Sequence, residues 1–310
     1  MNIIVPITIT EAMLGGGTTI AEPDSGETAW SGSSVSYSVG DERIRTTTHR
    51  VYRCASAHTS ASSPLPEDDP TRWVDIGPTN RHAPFDEYTS SAMASVTSET
   101  YVLQPGYFNA IALYGLTGTQ YSLTVKDEPA GTTIYTATGY LTDDPLGWYE
   151  YLFTVPRTRN KLVFTNIPPR PEAEITLTIS AGTGDPVGLG MLVVGDYAPV
   201  IGADAQWGGP LAGATAEPRS NSYFRMNDDG SVEIRRRTAA TDMTIRAALP
   251  RDKADNALAL MQSVLDVPVA CIATSQRGWD GLNVFGLVNA RVIYESNNTA
   301  TIDFTVKGMI

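Results

Sequence analysis

Between residues 95 and 197 the chain repeats one pattern eight times: a short run rich in β-branched and aromatic residues, then a gap carrying Gly, Pro or Asp. The runs cover 100–103, 110–114, 120–126, 132–138, 148–155, 161–165, 175–180 and 187–194, spaced at roughly 8 to 14 residues. Strands this short are stable only when several pair and bury one face together. That rhythm therefore predicts a two-layer β-sandwich of jelly-roll type. Within 120–126, Tyr121, Leu123 and Val125 alternate with Ser122, Thr124 and Lys126, so one face is expected on the core and the other in solvent.

The flanking segments read differently. Residues 3–10 alternate as a single strand, and Gly15-Gly16-Gly17 breaks the pattern. A lone strand must find a sheet, so 3–10 is expected to pair back onto the C-terminal region. Short strands are expected at 42–45, 51–55 and 73–76, with a Ser-, Pro- and Asp-rich loop over 57–70. Further on, 223–226 and 232–235 flank Asn227-Asp228-Asp229-Gly230, a hairpin signal. A helix is expected over 251–265, with Ala254, Leu258, Met261 and Leu265 as its apolar stripe and Pro250 and Pro268 as its limits. A strand at 269–273 and a hairpin of 287–294 with 300–306 follow. The predicted fold is mainly β: an N-terminal strand and linker (1–28), a small β module (29–92), a β-sandwich (93–198) and a C-terminal α+β domain with one helix (199–310).

Composition excludes several function classes. The formal net charge of -12 opposes a sequence-independent grip on nucleic acid, which needs a dense positive face. The one basic run, Arg235-Arg236-Arg237, lies beside Glu233 and reads as a solvated strand edge. No stretch has the apolar length of a membrane span, so membrane insertion is not expected. The first residues carry neither a basic region nor a long apolar core, so no secretory leader is expected. The two cysteines, Cys54 and Cys271, are far apart, which leaves buried free thiols or a single bridge.

Catalytic patterns are scarce. His49, His58 and His82 form no paired-histidine spacing and neither cysteine sits in a Cys-x-x-Cys pair, so no metal site and no cofactor are expected. There is no Gly-x-Ser-x-Gly elbow and no phosphate-binding loop. The acidic runs Glu67-Asp68-Asp69 and Asp143-Asp144 read as solvated loop tips, and Asn227-Asp228-Asp229-Gly230 as a turn without the acidic residue that would close a calcium loop. No catalytic residue is assigned, and the chain is expected not to be an enzyme.

One constellation stands out. Trp30, Tyr37, Tyr52 and Trp73 recur within a short polar segment. Sugar-binding surfaces present aromatic faces on which pyranose C–H groups stack. A small module also needs rings for its core. Tyr52 and Trp73 lie on apolar-flanked strands and suit the core; Trp30 and Tyr37 lie in looser sequence and suit a ligand.

These residues carry a resemblance. Tyr37-x-Val39-Gly40-Asp41, Val51-Tyr52-Arg53-Cys54, His58-Thr59-Ser60, Pro64 and Trp73-Val74-Asp75-Ile76-Gly77 resemble the small chitin- and cellulose-binding module attached to bacterial chitinases, with Arg43 where that family has valine. The continuation Gly77-Pro78-Thr79-Asn80 to Phe85-Asp86 is similar to a version of the module found in tail proteins of tailed phages. The stretch Gly188-Leu189-Gly190-Met191-Leu192-Val193-Val194-Gly195 and the ending Ile302-Asp303-Phe304-Thr305-Val306-Lys307-Gly308 look like tail-tip proteins of long-tailed phages, including the distal-tail type. The resemblance implies a carbohydrate-binding-like module on a structural subunit of a tail tip or baseplate. It implies a homo-oligomeric ring at the tail end, synthesis in the host bacterial cytoplasm and residence in the virion. The implied partners are the tail tube, the baseplate hub, tail fibres and a host cell-surface glycan. The alternative is a glycan-binding adhesin of the virion.

Overall fold

In the computed structural model the described residues are 1–86, 91–96, 98–142, 147–155, 158–200, 210–226, 231–235, 239–274 and 279–309. Asp143-Asp144, the turn Asn227-Asp228-Asp229-Gly230, and Arg236-Arg237 lie outside them.

Taken in chain order, β1 (Asn2–Pro6) opens the main sheet. The small module follows with β2 (Ser36–Tyr37), β3 (Glu42–Arg45), β4 (Arg50–Cys54), β5 (His58–Thr59) and β6 (Trp73–Pro78). Next come β7 (Met93–Val96), β8 (Ser98–Leu103), β9 (Ala110–Tyr114), β10 (Gln120–Lys126), β11 (Thr133–Tyr140), α1 (Trp148–Phe153), β12 (Lys161–Phe164), β13 (Glu174–Ser180), β14 (Pro186–Leu189) and β15 (Met191–Pro199). The last third holds β16 (Thr215–Arg219), β17 (Tyr223–Met226), β18 (Val232–Arg235), β19 (Ala240–Pro250), α2 (Arg251–Ser263), β20 (Val269–Ile272), β21 (Asn283–Tyr294) and β22 (Thr299–Gly308). The chain is mainly β, as expected.

A nine-stranded sheet runs in the order β12-β9-β15-β1-β20-β21-β22-β19-β16, and a four-stranded sheet in the order β11-β10-β13-β8. The N-terminal strand does pair back: Ile4 lies opposite Tyr197 on β15 and opposite Ala270 on β20. It ends at Pro6, short of residue 10. β1 thus joins the middle of the chain to its C-terminal third, and one sheet runs through residues expected to form two domains.

Strand alternation sorts the apolar residues onto two faces. On one face the four-stranded sheet covers β9, β12 and β15 around Leu113, Leu123, Leu177 and Leu192, the expected sandwich. Farther along that face α2 covers Ile3, Ile245, Cys271, Ile302 and Phe304. Each such large side chain contributes about 1.5 to 3 kcal/mol by leaving water. The other face buries Ile4, Ala110, Ala112, Tyr114, Met191, Val193, Ala270, Ile272 and Phe285. Tyr114 and Phe285 stand four strands apart in the sheet order, about 19 Å across if the sheet were flat. Their ring centroids are 5.8 Å apart. The sheet therefore curls on itself until this face becomes an interior, and the small residues Ala110, Ala112 and Ala270 give the curl room.

Several expectations are corrected. Residues 148–155, expected as a strand, contain α1, whose Trp148, Tyr149, Tyr151, Leu152 and Phe153 side chains all face solvent. The segment lies between β11 of one sheet and β12 of the other. The run 187–194 splits at Gly190, which packs on the Gly115 backbone where a Cβ would come within 3.2 Å of the Gly115 Cα. The stripe of α2 is rotated: Ala254, Ala257, Met261 and Val264 are buried, while Leu258 and Leu265 are exposed. Both cysteines are buried free thiols. Among the described residues no helix is long and apolar enough to cross a membrane.

Candidate functional site

The four aromatic residues singled out in the sequence converge in the small module, but as its core. Tyr37, Tyr52 and Trp73 are 3%, 5% and 4% exposed. Tyr37 meets Trp73 edge-on at 5.1 Å, and His58 packs at 90° against Trp73 at 5.4 Å. The Tyr37 hydroxyl donates to the Ser31 carbonyl at 3.0 Å and accepts from the Ser31 amide at 2.9 Å. Tyr52 and Trp73 take the core role foreseen for them. Tyr37, expected to offer a free face to a ligand, is instead consumed by a core that has few other apolar residues. Trp30 is half-buried, and the Arg45 guanidinium lies 5.1 Å from its ring. Glu67 accepts from Arg45 at 3.1 and 3.2 Å, so it is no free loop tip. Asp69 is buried, and the Thr71 hydroxyl, which donates to it at 2.6 Å, holds its carboxyl below the usual range.

The segment after β6 docks the module onto the sandwich. Thr79 donates to Glu22 at 2.7 Å, the Asn80 amide to Glu27 at 2.8 Å, and Tyr101 of β8 to the Arg81 carbonyl at 3.1 Å. Phe85 packs edge-on against Tyr101 at 5.4 Å. The continuation from Gly77 to Asp86 noted in the sequence is thus a strut between two β bodies.

At this junction the fold assembles a set of groups that no sequence spacing announces. Glu11, Glu22, His49 and His82 bring one ligand-type atom each within 4.8 Å of one another. His49 Nδ1 lies 2.8 Å from Glu22, His82 Nε2 lies 2.9 Å from Glu11, and the two rings stack at 4.0 Å. Burial, then the neighbouring His49, pushes His82 below the usual histidine range, against the pull of Glu11 and Glu22. The expectation of no metal-ligating set rested on sequence spacing, whereas these residues come from segments 71 positions apart.

A second constellation sits where the curled sheet fails to close. The Lys161 ammonium of β12 donates to the Asn283 carbonyl of β21 at 3.0 Å. Around them lies a cleft of about 350 Å³, lined by Arg159, Tyr197, Trp279, Asp280 and others. Burial lowers the Lys161 pKa, and Asp280 opposes that shift. The arrangement offers cationic, amide and aromatic groups to a polar ligand.

Two apolar surfaces are uncovered. α1 presents Trp148 at 81% exposure and Phe153 at 74%. The hairpin of β17 and β18 forms a two-stranded sheet by itself, with Phe224 paired to Ile234 and every described residue of both strands exposed. The sequence signal for α1 was the run of aromatics after Gly147, which the sandwich rhythm absorbed as one more strand.

No protein-family model matches the chain, and no curated protein matches it. Among solved structures it is similar, over 38% of its length and 83% of the other chain, to chitosan-binding module 1 from a chitosanase/glucanase of Paenibacillus sp. IK-5, at 15% identity and a TM-score of 0.26. It is also similar, over 51% of its length and 97% of the other chain, to the F5/8 type C domain of a Bacteroides fragilis protein, at 11% identity and a TM-score of 0.26.

Proposed function

We propose that this chain is a non-enzymatic structural subunit of a tailed-phage tail tip, of the distal-tail type, which assembles as a ring with further copies of itself. Its neighbours in the virion would be the tail tube, the baseplate hub and tail fibres. The observation that carries the reading is the β17–β18 hairpin. An isolated two-stranded ribbon is marginal in water. This one exposes Tyr223, Phe224, Met226, Val232 and Ile234, between 46% and 65% each. Such a ribbon suits an arm whose faces and edges are completed by a neighbouring subunit. The sequence resemblance around Gly188 to Gly195 and at the C-terminus supports the same assignment.

The test is assembly. The purified chain, alone and with tail proteins, should form rings visible by negative stain and a matching mass by light scattering. The double variant Phe224→Asp with Ile234→Asp should stay folded and lose the rings. A wild-type chain that remains monomeric at high concentration and never enters tails sinks the proposal.

A second reading, binding of a host-surface glycan, is favoured by α1. Trp148 and Tyr151 pack edge-on at 6.2 Å and stand free of the body, so their outer faces are open to pyranose stacking. Glycan-array binding that is lost in Trp148→Ala and kept in Trp30→Ala would support it. No binding to any surface polysaccharide would remove it.

A further inference from the structure

We propose that Glu11, Glu22, His49 and His82 form a binding site for one borderline divalent metal ion of the Zn²⁺ class, which fastens the small module to the β body. The four residues come from three separate places. Glu11 and Glu22 flank the segment whose Gly15 and Thr19 amides donate to the Val102 and Thr100 carbonyls of β8, so they belong to the sandwich side. His49 lies in the turn between β3 and β4, and His82 in the strut after β6, so they belong to the module.

The four groups already pair as two His–carboxylate hydrogen bonds, at a spacing that one ion can take over. Zinc bonds of about 2.0 to 2.1 Å place tetrahedral ligand atoms about 3.3 Å apart. Here the closest contacts, 2.8 and 2.9 Å, are slightly tighter and none exceeds 4.8 Å. An entering ion needs only to spread the two short contacts and draw in the wider ones, through side-chain rotation. The outer groups are in place as well. Each carboxylate turns one oxygen to an imidazole and has the other held, Glu22 by the Thr79 hydroxyl at 2.7 Å and Glu11 by Arg81 at 3.0 Å. Outer partners of this kind orient metal ligands and sustain affinity. The site is also sheltered: the side chains of Glu22 and His82 are 7% and 11% exposed.

The donor set selects the ion. Two nitrogens disfavour Ca²⁺ and Mg²⁺, which prefer all-oxygen shells, and suit Zn²⁺, Co²⁺ or Ni²⁺. The ion would bridge two β bodies at the point where the strut crosses between them.

The experiment uses the full chain stripped with EDTA. Titration calorimetry with ZnCl₂ should show one site per chain, and Zn²⁺ should raise the thermal midpoint by several degrees while MgCl₂ and CaCl₂ do not. Glu11→Gln and His49→Gln, at the more exposed side of the cluster, should each weaken Zn²⁺ binding about tenfold or more. In the wild-type chain Co²⁺ should give the strong visible absorption of a four-coordinate site, a readout that needs no variant. The proposal is overturned by a wild-type chain with no Zn²⁺ heat and no midpoint shift. It is overturned equally by a Co²⁺ spectrum no stronger than that of the aquo ion, by Zn²⁺ binding that both variants leave unchanged, or by equal affinity for Ca²⁺.

Discussion

The Tyr114 hydroxyl donates a 2.7 Å hydrogen bond to Asn283 Oδ1, tying β9 to β21 across the interior of the curled sheet. Both groups are far apart along the chain, and burial pushes the Tyr114 phenol well above its usual range, so it remains a neutral donor at any physiological pH. Removing the hydroxyl takes the donor from the Asn283 amide oxygen, which is half-buried at the edge of the Lys161 cleft, and costs about 0.5 to 1.5 kcal/mol. Tyr114→Phe should lower the urea midpoint accordingly with an unchanged slope. An unchanged midpoint would show that the curl does not depend on this bond.

The join between β1 and β15 makes a sharper demand. A Cβ on Gly195 would stand 1.8 Å from the Val5 carbonyl oxygen. Because the obstacle is backbone, no side-chain rotation relieves it. Gly195→Ala should cost about 3 kcal/mol or more and loosen the N-terminal strand. Hydrogen exchange at Ile3 and Ile4 measures this directly, and full protection in the variant would contradict the register described.

Acid stability should depend on a cross-strand ladder. Asp303 on β22 accepts from Arg246 on β19 at 2.6 and 3.1 Å and lies opposite Arg291 on β21. The Arg246 guanidinium holds the Asp303 carboxyl below its usual range, and Arg246 is raised in return. A carboxyl depressed in the folded state stabilises fully above its unfolded pKa of about 3.9, and that contribution is lost as pH falls through the folded value. Asp303→Asn should therefore lose less stability than wild type between pH 7 and pH 3, read as denaturant midpoints. Parallel curves would remove Asp303 from the acid response.

The thiols give a simple check of packing. Cys54 and Cys271 are 1% and 0% exposed, and burial pushes both thiols up. Neither should react with a thiol reagent in the native chain, and both should react after unfolding. Rapid native labelling of Cys271 would mean that the helix-covered core opens readily.

Strand identity was largely legible because it is local. Leu123 and Val125 alternate with Ser122 and Thr124 in the sequence, and the fold buries the first pair and leaves the second half-buried. β19, which lies outside the strands expected from the sequence, carries that period too in Met243, Ile245, Ala247 and Leu249, all buried. The hairpin of β21 and β22 and the return of β1 to the C-terminal third were legible for the same reason: an alternating face must be covered, and a strand must be paired. The aromatic run of α1 has strand propensity, so its helical turn was not legible from residue type alone.

What the chain alone determined, then, was most of the longer strands and the apolar side of those that alternate, since side-chain alternation is written residue by residue. The curl that brings Tyr114 to Phe285, the consumption of Tyr37 in the module core and the meeting of Glu11, Glu22, His49 and His82 were decided by tertiary structure. Each depends on distances between segments dozens of residues apart, and sequence spacing holds no record of those distances until the strands have been paired.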